Sequence, residues 1–419
     1  MHLPYPWYVT SAYRLPRPSP TRLAVRVTSE ALRGIRSGHP WVYENSIVSL
    51  KGTGVSGDLA VVFDDDRRFV AIGLYDPDSP IRIKIVHQGK PTTVDRSFWT
   101  AKLQSAMTLR ERLIRQGDTT GYRCVNGEND GMPGIVLDHY AGTMVVKIYN
   151  AIWVPHLVDL VPAIDDVFHP DALVLRHARN LEKALLHGLE EGDALLGTAP
   201  TEPVLFRECG LTFEADVIHG QKTGHFLDQR ENRQLVGTQS DGAKVLDMFS
   251  ATGGFTVHAA AGGATEVVAV DISEPTLAVA ARNLQHNLAV PNVAACKYRP
   301  IVGDAYEVLD RLWRNGERFE VVVIDPPSFT PRQTSVDRAL ASYSRLTEKA
   351  VRLVRPGGLY VQASCSSRVT ADEFHLTVSH AAARAGRPLE EWRRTSHPVD
   401  HPIGFPQGAY LKAVFARVP

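Results

Sequence analysis

Residues 363–367 read "ASCSS", straight after the strand-like "GGLYVQ". They place Cys365 where a buried strand runs out into a loop. A thiolate there can act as a nucleophile if the chain also supplies an electrophile, a cleft and a substrate that needs covalent activation. The plain alternative is a small buried hydrophobe, as cysteine often is. The other cysteines, Cys124, Cys209 and Cys296, fall in no motif and read as packing. Carboxylates come next: Asp247 in "DMFSATGGF", Asp271 closing "EVVAVD", Asp304 in "IVGDAY" and Asp325 in "DPPSF". Any one of them alone reads as a helix cap or turn residue. Four at successive strand ends suggest a ligand cleft, because open α/β sheets bind ligands beyond the carboxyl ends of their strands. In the first loop, Gly253 and Gly254 would let the backbone approach a ligand closely, and the helix that follows would offer its amides to a carboxylate. Asp271, roughly 20 residues further on, can take both hydroxyls of a ribose. A dinucleotide site is the rival reading, but its G-x-G-x-x-G is absent and it has no use for "DPPSF". The pattern favours the methyl donor S-adenosylmethionine.

Those strand ends need a scaffold. From 206 to 419 the solid apolar runs "KVLDMF", "EVVAVDI", "EVVVIDPP" and "GGLYVQASC" alternate with helical segments. Strands buried on both faces read this way, so the fold class is α/β, with a doubly wound, Rossmann-like parallel sheet. Residues 21–91 alternate short strand-like runs with Gly and Asp turns and predict a small β-rich domain or barrel. Its one helix is expected to start on Ser29 as N-cap and to stop at Gly38. Residues 92–205 predict a middle α+β domain. It should contain a long helix over 95–116, a hairpin turning at Ala141 and Gly142, a helix near 153–163 and the strand "ALVLRHA". Residues 1–20 are proline-rich and predict an extended lead-in.

Composition sets bounds. The 46 basic and 46 acidic residues balance, which counts mildly against a nucleic-acid partner but leaves room for a local basic patch. No apolar run approaches the ~18 residues of a membrane span, and the N-terminus does not resemble a signal peptide. Four scattered cysteines without a CxxC pair argue against a disulfide framework and a zinc site, and fit a reducing cytoplasm. In "SHPVDHP", His397 and His401 flank Asp400 and invite a metal reading, but no third ligand has suitable spacing. No metal is expected, and the segment is expected to form a loop near the substrate pocket.

The sequence resembles the class I methyltransferases of the large-subunit (23S) ribosomal RNA cytosine-C5 type, the group with an N-terminal PUA domain. The resemblance covers nearly the whole chain after about residue 20. It is carried by "SGHPWVYENSI", "NGENDGMPGIVLDHY", "HGQKTGHFLDQRENR" and "DHPIGFPQGAYLKAVFARV". It implies that Asp247, Ser250 and Gly253 hold the methionine part of the cofactor. Asp271 with Ile272 would hold the ribose, Asp304 with Ala305 the adenine, and Asp325 and Pro326 would line the same cleft. Gln221, Lys222, Thr223, Gly224 and Phe226 would close over it.

The same resemblance gives Cys365 a task. Cytosine C5 is a poor carbon nucleophile, and a thiolate added at C6 turns the ring into an enamine that can take a methyl group. Asp325 is the candidate for removing the C5 proton afterwards, or for gripping the base edge. Nearby Arg368 is expected to lower the thiol pKa. Many RNA cytosine-C5 enzymes carry a second cysteine where this chain has Ser328; the type it resembles does without it. A guanine or adenine N-methyltransferase working through "DPPSF" is the alternative, and a non-catalytic RNA-binding protein is the third reading. The partner implied is rRNA with an unstacked base, docked through Arg33, Arg36, Arg67 and Arg68. The resemblance also permits a homodimer.

Overall fold

The computed structural model describes residues 15–329 and 336–419; residues 1–14 of the expected lead-in lie outside them. The chain forms two compact units. Among the described residues, one comprises 15–206, 215–225 and 399–406, the other 207–214, 226–329, 336–398 and 407–419.

In the first unit, β1 (Leu23–Val27), α1 (Ser29–Arg36), β2 (Trp41–Tyr43), β3 (Ile47–Lys51), β4 (Leu59–Phe63), β5 (Phe69–Tyr75) and β6 (Ile81–Gln88) build a six-stranded sheet of order β2-β6-β5-β4-β1-β3. The N-cap of α1 is Thr28, one residue before the expected Ser29. Its Oγ1 accepts from the amide of Ala31, which satisfies one of the orphan donors at a helix start. Then follow α2 (Arg96–Gln116), β7 (Gly121–Asn126), β8 (Ile135–Tyr140), β9 (Thr143–Ile148), α3 (Leu157–Phe168), β10 (Ala172–His177) and β11 (Ala194–Gly197), with a five-stranded sheet of order β11-β10-β9-β8-β7. Asp95 caps α2, accepting from Phe98 N. Ala141 and Gly142, both at positive φ, turn the β8–β9 hairpin. The helix expected near 153–163 instead starts at Leu157, because residues 151–156, with Pro155 among them, form a 3₁₀ segment.

The two sheets share a core. Leu59, Val61, Ile72, Leu74 and Val86 cluster with Trp99, Leu103, Met144 and Trp153. The intervening Ala60, Val62, Ile83 and Ile85 turn to the other side, with Leu23, Val25 and Ile35. The period-2 alternation of a strand buried on both faces explains why "LAVVF" is apolar throughout. The boundary near residue 91 thus separates two sheets, not two cores.

Next along the chain, β12 (Val204–Glu208) pairs with β13 (Leu211–Ala215). The second unit continues through α4 (Arg230–Gly237), β14 (Lys244–Met248), α5 (Gly254–Ala261), β15 (Glu266–Asp271), α6 (Glu274–Gln285), α7 (Pro291–Ala295), β16 (Lys297–Val302), α8 (Ala305–Arg314), β17 (Phe319–Ile324), α9 (Val336–Ala350), β18 (Val354–Ser364), α10 (Ala371–Arg384), β19 (Glu390–Thr395) and β20 (Lys412–Val418). Its sheet has the order β16-β15-β14-β17-β18-β20-β19. Strands β14 to β18 pair in parallel, and β20 runs antiparallel to β18. The order reverses between β14 and β17, the switch point where such sheets open a crevice.

Candidate active site

The second unit gathers most of the predicted residues at the carboxyl ends of β14 to β18. Asp247, near the end of β14, is 0% exposed. Its Oδ2 accepts from Ser250 Oγ (2.9 Å) and Thr256 Oγ1 (2.6 Å), while Oδ1 is buried with no hydrogen-bond partner. Burial pushes this carboxyl up to about 6, against the two hydroxyl bonds that lower it. A buried carboxylate oxygen without a donor is costly, and a cationic ligand group would satisfy it.

The loop after β14 is strained. Phe249 (φ 62°), Ala251 (φ 46°) and Gly253 (φ 80°) all take the left-handed conformation, which costs side-chain-bearing residues about 1–3 kcal/mol each and clusters at functional sites. The glycines are also required by packing within the protein. A Cβ on Gly253 would lie 2.6 Å from Ala280 Cβ in α6, and one on Gly254 would lie 2.6 Å from Arg233 Cδ. Both spaces are filled by the protein itself. Arg233 is in turn buried against Glu208, which also meets His258.

Asp271, half-buried at the end of β15, receives Ala251 N on Oδ2 (3.0 Å) and Ser273 N on Oδ1 (2.9 Å), and so faces the β14 loop. Ile272 beside it is 75% exposed, an apolar side chain open at the crevice end of the sheet. Asp304 fits the plain reading of a helix cap. Its Oδ1 caps α8, accepting from Tyr306 N and Glu307 N, and both bonds fall on that one oxygen. Ala305 is buried behind it.

Asp325 follows β17, and Pro326 is buried next to it. The carboxylate is oriented by a relay that sequence reasoning missed. Thr395 Oγ1 donates to Asn232 Oδ1, Asn232 Nδ2 donates to Gln229 Oε1, and Gln229 Nε2 donates to Asp325 Oδ1 (2.9 Å). Gln229 and Asn232 are neighbours at the start of α4, but their partners Asp325 and Thr395 lie about a hundred residues or more away, so no local pattern announces the relay.

Cys365 follows β18, one strand over from Asp325. Its neighbours Ser364 and Ser366 both hydrogen-bond the hydroxyl of Tyr343 in α9, at 2.8 Å each, and Ser366 Oγ also reaches Ser328 Oγ (3.3 Å). The loops carrying Asp325 and Cys365 are therefore tied together, and both residues act electrostatically on Tyr343. Arg368, expected to be the activating cation, is exposed. Lys412 of β20, a buried cation, interacts electrostatically with Cys365.

The remaining predicted residues sit differently. Phe226 belongs to the second unit, while Gln221, Lys222, Thr223 and Gly224 belong to the first. There Thr223 Oγ1 donates to Asp138 (2.6 Å) and bonds the Tyr140 hydroxyl (3.0 Å), and the Lys222 carbonyl accepts from Lys147 Nζ (3.1 Å). His397 in the second unit accepts at Nε2 from Leu411 N (3.0 Å). Asp400 and His401 are buried in the first unit, where Asp400 Oδ2 accepts from Arg123 N and its carbonyl from Arg110. Among the described residues no group of His, Cys, Asp or Glu is arranged to hold a metal, and no helix is long and apolar enough to cross a membrane. Of the four arginines, Arg36 pairs with Asp64 (3.1 Å) and Arg68 with Asp66 (2.8 Å). Arg33 lies exposed on α1, and Arg67 takes φ 59° in the β4–β5 turn.

Comparison with known proteins agrees with this architecture. Residues 135–417 match a family described as S-adenosylmethionine-dependent methyltransferase, and residues 25–88 match a PUA-like domain. A ribosomal RNA large subunit methyltransferase of Deinococcus radiodurans is 43% identical over 408 residues, covering 96% of this chain and 99% of the relative. Ribosomal RNA large subunit methyltransferase I of Alteromonas mediterranea is 33% identical, over 92% of this chain and 96% of its own. A solved Streptococcus mutans structure, described as a SAM-dependent methyltransferase, superposes with a TM-score of 0.79 at 20% identity, over 94% of this chain and 100% of that one. That likeness speaks to the fold.

Proposed function

Because the chain belongs to the S-adenosylmethionine-dependent methyltransferases of the ribosomal RNA large-subunit group, we propose that it methylates cytosine C5 in large-subunit rRNA. The reaction runs through a covalent bond between Cys365 and C6 of the ring, in the cytoplasm. The observation that carries this reading is the pairing of Cys365 with Asp325 on adjacent strand ends, their loops joined through Ser328, Ser366 and Tyr343. Nitrogen methylation has no use for a cysteine at that point.

When bound, the cofactor would supply an electrophilic methyl group, its sulfonium sulfur keeping the electron pair of the broken S–CH3 bond and leaving as the neutral thioether S-adenosylhomocysteine. The residues present suit it: the unpartnered Oδ1 of Asp247 would accept its ammonium, Asp271 would take the ribose hydroxyls, exposed Ile272 would lie against the adenine, and Asp304 would offer the adenine amine the oxygen left over from its cap. The substrate base is unstacked before it enters. The Cys365 thiolate adds to C6, and the π pair of the C5–C6 double bond moves to C5, which becomes the carbon nucleophile. After C5 has gained the methyl group, Asp325 takes its proton. The freed pair re-forms the double bond and the thiolate leaves. Gln229, itself held by Asn232, keeps Asp325 turned to this task.

The N-methyltransferase alternative needs the aromatic residue of the "DPPSF" loop to stack on the base. Phe329 instead meets Tyr343 edge-on, with centroids 5.1 Å apart. Mass spectrometry of nucleosides from rRNA treated with the enzyme and cofactor is expected to yield 5-methylcytidine. An N-methylated guanosine or adenosine in its place contradicts the proposal.

RNA docks on the PUA-like sheet through phosphate contacts. Arg33 and Arg67 are the better candidates among the four arginines, since Arg36 and Arg68 already face carboxylates. Removing the whole domain is a poor test, because its sheet shares a core with α2 and the second sheet. Point changes avoid that. Arg33→Ala with Arg67→Ala is expected to weaken rRNA affinity severalfold and to lower the log–log salt slope by about one for each phosphate that is no longer neutralised. An unchanged slope removes both residues from the interface.

A further inference from the structure

Lys412 stands in the strand "KAVFARV" and is only 4% exposed. Lysine is almost never buried unless its charge is matched, yet no carboxylate lies within ion-pair distance of it among the described residues. Its ammonium donates to the carbonyls of Ser366 (2.5 Å), Val369 (2.6 Å) and Tyr410 (3.2 Å). Two of these belong to the loop that begins at Cys365. The β18–β20 register sets Lys412 directly opposite Ser364, the residue before the cysteine. From the other side Tyr343 holds the hydroxyls of Ser364 and Ser366. Cys365 thus sits at the start of a loop that is pinned on either side of it, at Ser364 and at Ser366.

We propose that Lys412 is the positioning cation of the Cys365 loop: its ammonium fixes the loop through the Ser366 and Val369 carbonyls and, facing Cys365, keeps the sulfur as a thiolate. This rests on the reading of Cys365 as the nucleophile. Three neutral carbonyls account for the geometry but not for burying a full positive charge, which needs an anion. Of the groups facing Lys412, Glu373 on α10 is occupied by its capping box with Thr370. His375 on the same helix is kept neutral, its pKa lowered by burial, with Lys412 among the charges adding to that. Tyr343 on α9 has its phenol pushed upward by burial, and Asp325 beyond it is held by Gln229. Cys365 remains. Burial moves the Lys412 ammonium down to about 8, with Cys365 and then Glu373 opposing the shift, so the ammonium is the prevailing form at neutral pH. The interaction is reciprocal: a thiolate that favours the ammonium is favoured by it.

The test is the pH dependence of alkylation by iodoacetamide at Cys365 in the full chain, followed by peptide mass spectrometry. Wild type is expected to show a midpoint below the ~8.5 of an ordinary thiol. Cys296, which burial pushes up to about 11, serves as the internal reference. Lys412→Met and Lys412→Gln, the second keeping donors without charge, are expected to raise the Cys365 midpoint by about one unit, a roughly tenfold loss of thiolate near neutrality. Lys412→Arg is expected to restore most of it. A wild-type midpoint at or above ~8.5 overturns the proposal without any variant being needed. A Gln variant that folds and keeps the wild-type midpoint overturns it as well. Neither RNA nor cofactor enters this assay. Its failure is therefore distinct from failure of the C5 reading, which shows as methyl transfer surviving in Cys365→Ala.

Discussion

Cys365→Ala is expected to lose methyl transfer by at least ~10³-fold while binding S-adenosylmethionine as wild type does. Without a thiolate at C6 the ring cannot become an enamine, and no other residue of the strand-end cluster supplies that nucleophile. Asp325 is a carboxylate held by Gln229, and Ser328 and Ser366 are hydroxyls that bond each other. The substitution should leave the fold intact. The side chain is only partly buried, and the loop keeps its ties from Ser364 and Ser366 to Tyr343 and from Lys412 to the Ser366 and Val369 carbonyls. Equal cofactor affinity by calorimetry with no methyl transfer is the expected pair of results. Transfer at a rate close to wild type would assign the cysteine to packing.

The second large effect is expected at Asp271. Its carboxylate sits between Ala251 N and Ser273 N at the mouth of the β14 loop, where it can take a ribose diol through charge-assisted hydrogen bonds of about 1.5–3 kcal/mol each. Asp271→Ala should weaken S-adenosylmethionine affinity at least tenfold in calorimetry. Part of that loss comes through the loop: without the carboxylate, Ala251 loses the partner that helps hold it at φ 46°. Asp271→Asn keeps an acceptor and should fall between the two. Affinity unchanged in Asp271→Ala would mean that the cofactor lies elsewhere.

The sheet at the catalytic end was legible in the sequence because its strands are buried on both faces. Continuous apolar runs and the polar residues that end them marked β14, β15, β17 and β18, with Asp247, Asp271, Asp325 and Cys365 at their ends. The hairpin at Ala141 and Gly142 and the helix capped by Asp95 were equally local signals. What escaped was non-local. Lys412 approaches Cys365 only because β20 folds back antiparallel on β18, whereas Arg368, the cation nearest in sequence, is exposed. The Thr395–Asn232–Gln229 relay joins β19 to the start of α4 and, through it, to the loop after β17. Gly253 and Gly254 looked like ligand-facing glycines, and that Ala280 and Arg233 also fill the space of their missing Cβ is something no local pattern reveals. Thr28 displaced Ser29 as a cap because adjacent hydroxyl residues compete for that position and only backbone geometry selects one.

The central claim, covalent activation of cytosine by Cys365, is tested most directly with rRNA fragments carrying 5-fluorocytosine. After methyl transfer, fluorine stands where the departing proton would be, so Asp325 has nothing to remove and the thioether persists. Wild-type enzyme with S-adenosylmethionine is expected to form an SDS-stable protein–RNA adduct whose cross-linked peptide contains Cys365, and Cys365→Ala is expected to form none. No adduct with wild type on RNA that it methylates in unfluorinated form, or an adduct that persists in Cys365→Ala, would contradict the account.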